Sequence, residues 1–165
     1  KQVVSPSFIQ NVTDFLANSA LAPGQLKLEI TETAVMDDEA KVIDVMNTLK
    51  DRGIRFAVDD FGTGYSSLAV LQKLPVDTVK IDRAFVSGLA EDPRKRSMVE
   101  MVVTLSHGFG FDVVAEGIEN PEEEDFLTSL KCNYGQGYYF SMPVPADEAM
   151  ALIERDQTSP VTKSA

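Results

Sequence analysis

Short apolar stretches alternate with longer amphipathic stretches along the chain, and this alternation constrains the fold more than any other feature. Five stretches have the length and composition of strands, near residues 26–31, 54–58, 77–82, 111–115 and 133–137. Between them, apolar residues recur at helical spacing, as in Val42, Met46 and Leu49. Short connections between such elements favour parallel strands joined by right-handed crossovers. We therefore predict a single α/β domain built on a parallel sheet.

Start and stop signals predict the helices between these strands. A long helix is predicted from Asp92-Pro93 to Gly108, and a shorter one begins at a capping box formed by Asn120 and Glu123. A final helix is predicted over residues 146–154, and residues 156–165 are expected to be a disordered tail because they hold little apolar content. The buried stripe predicted for the long helix is Met98, Met101, Val102 and Leu105.

Composition bounds the classes of function. The chain has 165 residues, 44% of them apolar, which suffices for one domain with a core. Its formal net charge of -11 argues against DNA or RNA as a partner, because these need a basic surface. No apolar run approaches the length of a membrane span, and the single Cys132 excludes an internal disulfide, so we expect a cytoplasmic domain. The chain begins at Lys1, and we expect it to be part of a longer protein that can itself be membrane-anchored.

Charged or amide side chains fall at or just beyond the ends of the strands, where parallel strands would bring them to one edge. They are Glu32, Asp59 with Asp60, Lys80 with Asp82, Glu116 with Glu119, and Gln136. Several carboxylates brought together repel unless a cation lies among them. All of these acids offer oxygen ligands, and no cysteine or histidine lies near them in sequence. The pattern therefore predicts magnesium or manganese (Mg²⁺ or Mn²⁺) rather than zinc.

Each of these features also has a simpler structural interpretation. Asp59-Asp60 can be a solvated acidic turn, and adjacent residues of a strand face opposite sides unless the strand breaks between them. Lys80 can extend its ammonium out of the sheet edge. His107 fits a helix C-terminus better than a ligand position. Tyr138, with the two aromatic residues that follow it, can line a pocket for a planar base or pack in the core.

Several motifs, taken in order, resemble the EAL domain, a family that hydrolyses the bacterial messenger cyclic di-GMP. They are the runs at residues 28–32, 59–67, 74–82, 115–119 and 136–138. The likeness covers roughly residues 8–153 and corresponds to the C-terminal two thirds of such a domain. It implies a TIM-like (β/α) barrel, here incomplete, with residues 1–155 forming the partial domain.

The resemblance also implies roles for individual residues. Glu32, Asp59, Asp60 and Glu116 would bind metal, and Lys80, Glu116 and Asp60 would be catalytic. Glu119 would brace the loop between Asp60 and Tyr65, and Gln136 would contact substrate or water. The implied chemistry is metal-assisted hydrolysis of cyclic di-GMP to the linear dinucleotide pGpG.

Two departures from the family pattern modify this expectation. The glutamate of the family's name motif and an asparagine ligand before the first helix are absent, and Glu123 and Glu124 stand where glutamine is usual. We therefore expect the longer protein to be the phosphodiesterase and this chain alone to be inactive. The alternative is a non-catalytic module that binds cyclic di-GMP or docks a protein. Five strands leave two sheet edges unpaired, which predicts a homodimer or other self-association. Sensor or GGDEF-type domains can flank the domain in the longer protein.

Overall fold

A computed structural model describes residues 3–36, 38–62 and 68–158 of the chain. Strands and helices alternate along it. The strands are β1 (Lys27–Thr31), β2 (Arg55–Phe61), β3 (Thr78–Ile81), β4 (Asp112–Glu116) and β5 (Tyr134–Gln136). The helices are α1 (Phe8–Asn18), α2 (Glu32–Met36), α3 (Glu39–Lys50), α4 (Leu68–Leu71), α5 (Arg83–Val86), α6 (Pro93–Gly108), α7 (Pro121–Ser129) and α8 (Ala146–Thr158).

The five strands form one parallel sheet in the order β1-β2-β3-β4-β5, as the alternating pattern predicted. Because all strands run the same way, their C-terminal ends lie along one edge. Pairing in register brings Thr31 beside Asp59, Ile81 beside Ala115, and Glu116 beside Gln136. Among the described residues, β1 and β5 form the two outer edges of the sheet.

The core lies between the sheet and its helices. All four residues of β3 are buried, which is typical of a central parallel strand covered on both faces. On α3, Val42, Met46 and Leu49 are buried at the predicted helical spacing. The helix therefore packs through one apolar stripe, and its charged residues remain on the other side.

The stripe predicted for α6 was correct at Val102 and wrong at Met101, whereas Met98 and Leu105 are partly buried against the core. The helix buries Val99, Val102, Val103 and Ser106, and Met101 is 56% exposed. The prediction chose the methionine and leucine side chains because they are larger and more apolar than their neighbours. The slimmer valines, and a serine whose Oγ has no hydrogen-bond partner, instead face the sheet. A close approach between helix and sheet favours small side chains at the contact.

Two other elements differ from expectation. Helix α2 was not predicted, because its five residues are too few to show a helical period, and Glu32 is its first residue. Helix α8 continues to Thr158 and so overlaps the tail predicted to begin at residue 156; residues 159–165 lie outside the described part. Within that part, no helix has the length and apolar character needed to cross a membrane.

Candidate active site

The two acids at the end of β2 are separated by a break in the strand. Asp60 has a left-handed backbone with φ of 55°, and the pairing of β2 with β3 shifts register between Val58 and Phe61. Such a bulge re-aims the side chains beside it. Gly62 follows with φ of 97°, a conformation that favours glycine. The simple alternation of a regular strand therefore does not govern how Asp59 and Asp60 point. Residues 63–67, the remainder of this motif, lie outside the described part.

Lys80 on β3 is the centre of the charged cluster. Its Nζ lies 2.7 Å from Glu116 Oε1, 2.8 Å from Glu29 Oε2 and 2.9 Å from Asp59 Oδ1. Lys80 is 8% exposed, so it does not extend out of the sheet edge. Strands β1, β2 and β4 thus each contribute one carboxylate to a cluster around the single ammonium from β3.

The electrostatics of this cluster follow from burial and pairing. Burial opposes the charged form of Lys80, but its close contacts with the carboxylates of Glu116, Glu29 and Asp59 outweigh burial and raise the pKa of the ammonium above its usual value. Burial also raises the pKa of Asp60. The charge of Asp59 raises it further, while that of Lys80 lowers it. Lys80 is therefore a cation throughout the range in which proteins normally work.

Glu32 contacts a different part of the site. Its buried carboxylate accepts a hydrogen bond from the Gly62 N–H at 3.1 Å, so it supports the segment that follows β2. Glu29, which contacts Lys80, was missed by the sequence analysis. The signal was present, because Lys27, Glu29 and Thr31 alternate with the apolar Leu28 and Ile30. That alternation places Glu29 on the strand face opposite the apolar residues.

The loop after β4 carries the next predicted residues. Glu119 was predicted to brace the loop between Asp60 and Tyr65. In the structure its side chain forms an ion pair with Arg83 at 2.5 Å. Gly117 has φ of 75°, and a Cβ there would overlap the side-chain stem of Arg83. The start of α5 therefore packs directly against the loop that follows Glu116.

Gln136 and Tyr138 share a cavity with Glu116. The cavity has a volume of about 210 Å³, and its other lining residues are Arg83, Gly117, Glu119 and Gly137. Backbone hydrogen bonds hold the segments that line the cavity together, since the Ile118 N–H donates to Gln136 O at 3.1 Å and the Tyr139 N–H donates to Ile118 O at 3.0 Å. Tyr138 is exposed rather than in the core, so the pocket interpretation of the aromatic run fits it better.

The donor atoms of the cluster fit a hard divalent ion. Glu29, Asp59 and Glu116 all present carboxylate oxygens, the ligands that Mg²⁺ and Mn²⁺ prefer. Asp59 Oδ1 is buried and accepts no hydrogen bond of acceptable geometry, although it lies within ion-pair distance of Lys80. Among the described residues, no three acids, histidines or cysteines are already arranged as a ligand set, and the Lys80 ammonium lies where these oxygens converge. An ion would therefore share the carboxylates with Lys80.

Comparison with known proteins agrees with this fold and these motifs. The family model of the EAL domain matches residues 1–143. MucR of Pseudomonas aeruginosa, a bifunctional diguanylate cyclase/cyclic di-GMP phosphodiesterase, is 36% identical over 92% of this chain and 22% of its own length. The EAL domain of Mycobacterium smegmatis DcpA has a TM-score of 0.89 and 37% identity, over 93% of this chain and 69% of that one. The chain belongs to the EAL-domain family.

A third relative bears on the metal. The manganese/cyclic di-GMP complex of Klebsiella pneumoniae BlrP1 has a TM-score of 0.78 and 34% identity, over 84% of this chain and 36% of that one. That relative therefore binds a divalent metal together with cyclic di-GMP. The present chain spans about a fifth to a quarter of the length of the curated relatives it matches.

Proposed function

We propose that this domain, within its longer protein, hydrolyses cyclic di-GMP to linear pGpG with the help of Mg²⁺ or Mn²⁺. The observation that supports this most strongly is the convergence of Glu29, Asp59 and Glu116 on Lys80. Parallel strands that gather acids and a lysine at their C-terminal ends are typical of barrel active sites. The metal-using relative and the phosphodiesterase relative support the same chemistry.

In this proposal, Glu29, Asp59 and Glu116 hold the ion, and Asp60 contacts it or a second one. A bound ion would polarise the phosphate and make a water more acidic. The metal role predicted for Glu32 stays a prediction, and its contact with Gly62 favours a part in shaping the loop after β2.

The remaining side chains would orient the substrate and the attacking water and stabilise the charge that develops on the phosphate. Lys80 stays positively charged, so it can hold a phosphate oxygen or the attacking water and offset negative charge that develops on the phosphate. Glu116 lies beside Lys80 and can accept a proton from water. Gln136 lines the adjoining cavity, from which its amide can hydrogen-bond to substrate or water. The bracing role predicted for Glu119 stays a prediction, and the contact that supports a structural part for this side chain is its ion pair with Arg83.

A second candidate is a module that binds cyclic di-GMP without hydrolysing it. The Lys80 ammonium already offsets one of the three carboxylate charges without an ion. We expect the isolated chain to be inactive, because the name-motif glutamate and the asparagine ligand of the family pattern are not among its residues.

One assay separates the two candidates. The full-length protein and this chain are incubated with cyclic di-GMP and Mg²⁺ or Mn²⁺, and pGpG is measured by chromatography while binding is measured by calorimetry. We expect turnover by the full-length protein and none by the chain. A Lys80→Met variant should lose turnover and keep nucleotide binding. Binding without turnover by the full-length protein would establish the binding module instead.

We also infer that the domain self-associates through its outer strands. We further propose that it is cytoplasmic and that other domains flank it in the longer protein. Large apolar side chains are exposed on and after β5, including Tyr134, Phe140 and Met142. A further apolar groove lies along β1, lined by Phe8, Val12 and Leu28 among others. Light scattering during size-exclusion chromatography tests this, since Phe140→Asp should convert dimer to monomer. A protein that is monomeric before substitution contradicts it.

A further inference from the structure

Both oxygens of the Glu123 carboxylate accept hydrogen bonds from backbone N–H groups that belong to different loops. Oε1 accepts from Gly88 at 2.7 Å, and Oε2 accepts from Glu119 at 2.8 Å. The residue is 1% exposed. Charge-assisted hydrogen bonds to a buried carboxylate are strong and directional. Glu123 therefore joins the turn between α5 and α6 to the loop between β4 and α7.

Capping of α7 accounts for only part of this arrangement. Asn120 Oδ1 accepts from the Glu123 N–H at 2.9 Å, and the Glu123 side chain reaches back to the N–H of Glu119, much as in a capping box. The predicted box is thus formed, with the return bond one residue earlier than usual. The bond to Gly88 spans 35 residues and serves no purpose in capping α7.

A second connection binds the same two segments. The Arg83 guanidinium pairs with Glu119, and its stem fills the space beside Gly117 where a Cβ would not fit. Helix α5 is therefore fixed to the loop after β4 at its start, through Arg83, and just beyond its end, through Gly88. Between these two connections, Gly117 and Glu119 have little freedom to move.

We propose that Glu123 is a positioning residue for the candidate active site. By fixing the loop at residues 117–119, it fixes Glu116, whose carboxylate lies 2.7 Å from Lys80. The inference rests on the proposed function, because it assigns Glu123 a part in placing one of the proposed metal ligands. The proposal also explains how Glu123 is used at a position where the family usually has glutamine. A glutamine would offer one acceptor and direct its NH₂ group at the second N–H.

The first experiment compares ¹H–¹⁵N spectra and amide exchange of the chain with those of Glu123→Gln and Glu124→Gln. The control makes the same chemical change one residue away, where Glu124 only accepts the Thr128 hydroxyl on the same helix. We expect one of the two amides, Gly88 or Glu119, whichever faces the glutamine NH₂ group, to exchange about 10-fold faster in Glu123→Gln, in line with the loss of one buried hydrogen bond. The Glu116 amide resonance should also move. Faster exchange with an unmoved Glu116 resonance would reduce Glu123 to a structural clamp and overturn the proposal, as would an unchanged spectrum.

The second experiment measures the Mn²⁺ affinity of the full-length protein by calorimetry. We expect Glu123→Gln to bind Mn²⁺ about 10-fold more weakly, as is usual when a group that orients a ligand is changed, and Glu124→Gln to bind as the unsubstituted full-length protein does. A lower melting temperature with unchanged affinity would overturn the proposal. If Glu123→Gln does not fold, Glu123→Asp keeps the charge but is too short to reach both N–H groups. Absence of Mn²⁺ binding by the unsubstituted full-length protein would contradict the proposed metal site, and the spectra alone would then decide the role of Glu123.

Discussion

The Lys80 ammonium lies 2.7 Å from the Glu116 carboxylate, and this contact joins β3 to β4 at the sheet edge where the candidate site is found. Glu29 and Asp59 approach the same nitrogen from β1 and β2. A single lysine thereby supplies the positive charge for acids from three other strands. The stability of this edge in the absence of metal should depend on that lysine.

Lys80→Met tests this dependence. The substitution keeps the volume of the side chain and leaves the three carboxylates without their cation. We expect the metal-free chain to lose about 1–3 kcal/mol of unfolding free energy, less than for a fully buried pair because the acids are partly exposed. Urea unfolding in EDTA measures the loss. Lys73→Met removes an exposed bridge to Glu39 and should cost less than about 0.5 kcal/mol. Equal losses in the two variants would contradict the shared role of Lys80.

Asp59→Asn should weaken the binding of Mn²⁺. The amide keeps the shape of the carboxylate but removes the negative charge from an oxygen that has no hydrogen bond in the structure. We expect affinity to fall about 10-fold or more, as measured by calorimetry. Asp44→Asn changes the net charge by the same amount on the exposed side of α3 and serves as the control. An affinity that falls equally in both variants would indicate a general charge effect.

Ser106→Ala should stabilise the protein. Ser106 is fully buried on α6, and its Oγ finds no hydrogen-bond partner among the described residues, so the folded state bears the cost of dehydrating a hydroxyl. We expect a gain of about 1 kcal/mol in thermal or urea unfolding. Ser97→Ala makes the same change on the exposed side of the same helix and reports helix propensity alone. If the two gains are equal, burial of the hydroxyl contributes nothing.

Gly117→Ala should be destabilising, whereas Gly108→Ala should be tolerated. A Cβ at Gly117 would overlap the Arg83 stem, and φ of 75° strains any residue with a side chain. We expect a loss of more than about 1 kcal/mol together with weaker Mn²⁺ binding. A Cβ at Gly108 meets no atom within 4 Å. An Arg83→Ala, Gly117→Ala double variant should recover part of the loss if the overlap is its cause.

The Cys132 thiol should react slowly near neutral pH. Burial raises the pKa of this thiol, although backbone hydrogen bonds to the sulfur partly counter the effect. Because the thiolate is the reactive form, its alkylation rate should reach half of its maximum at a higher pH than that of glutathione. Iodoacetamide labelling followed by mass spectrometry gives the profile. In urea the midpoint pH of the alkylation rate should fall to that of glutathione. If the folded protein already has the same midpoint as glutathione, the expected effect of burial is contradicted.

The sequence predicted the sheet well because central parallel strands are short apolar runs between glycine and proline signals. Asp59, Lys80 and Glu116 were found because they interrupt or end such runs. Glu29 was missed because it looks like an ordinary polar residue of an alternating strand, and only the pairing of β1 with β2, and of β2 with β3, brings it to Lys80. The bulge at Asp60 also escaped prediction, since a non-glycine residue with positive φ depends on contacts from the whole fold.

That bulge makes the spacing of residues between Val58 and Gly62 as important as their identity. A single deletion there would restore a regular pleat and turn one of the two aspartates toward the opposite side of the sheet. A single insertion would lengthen the kink and carry Gly62 away from the carboxylate of Glu32. Protein engineers who redesign this segment should therefore treat its length as fixed and vary only its side chains.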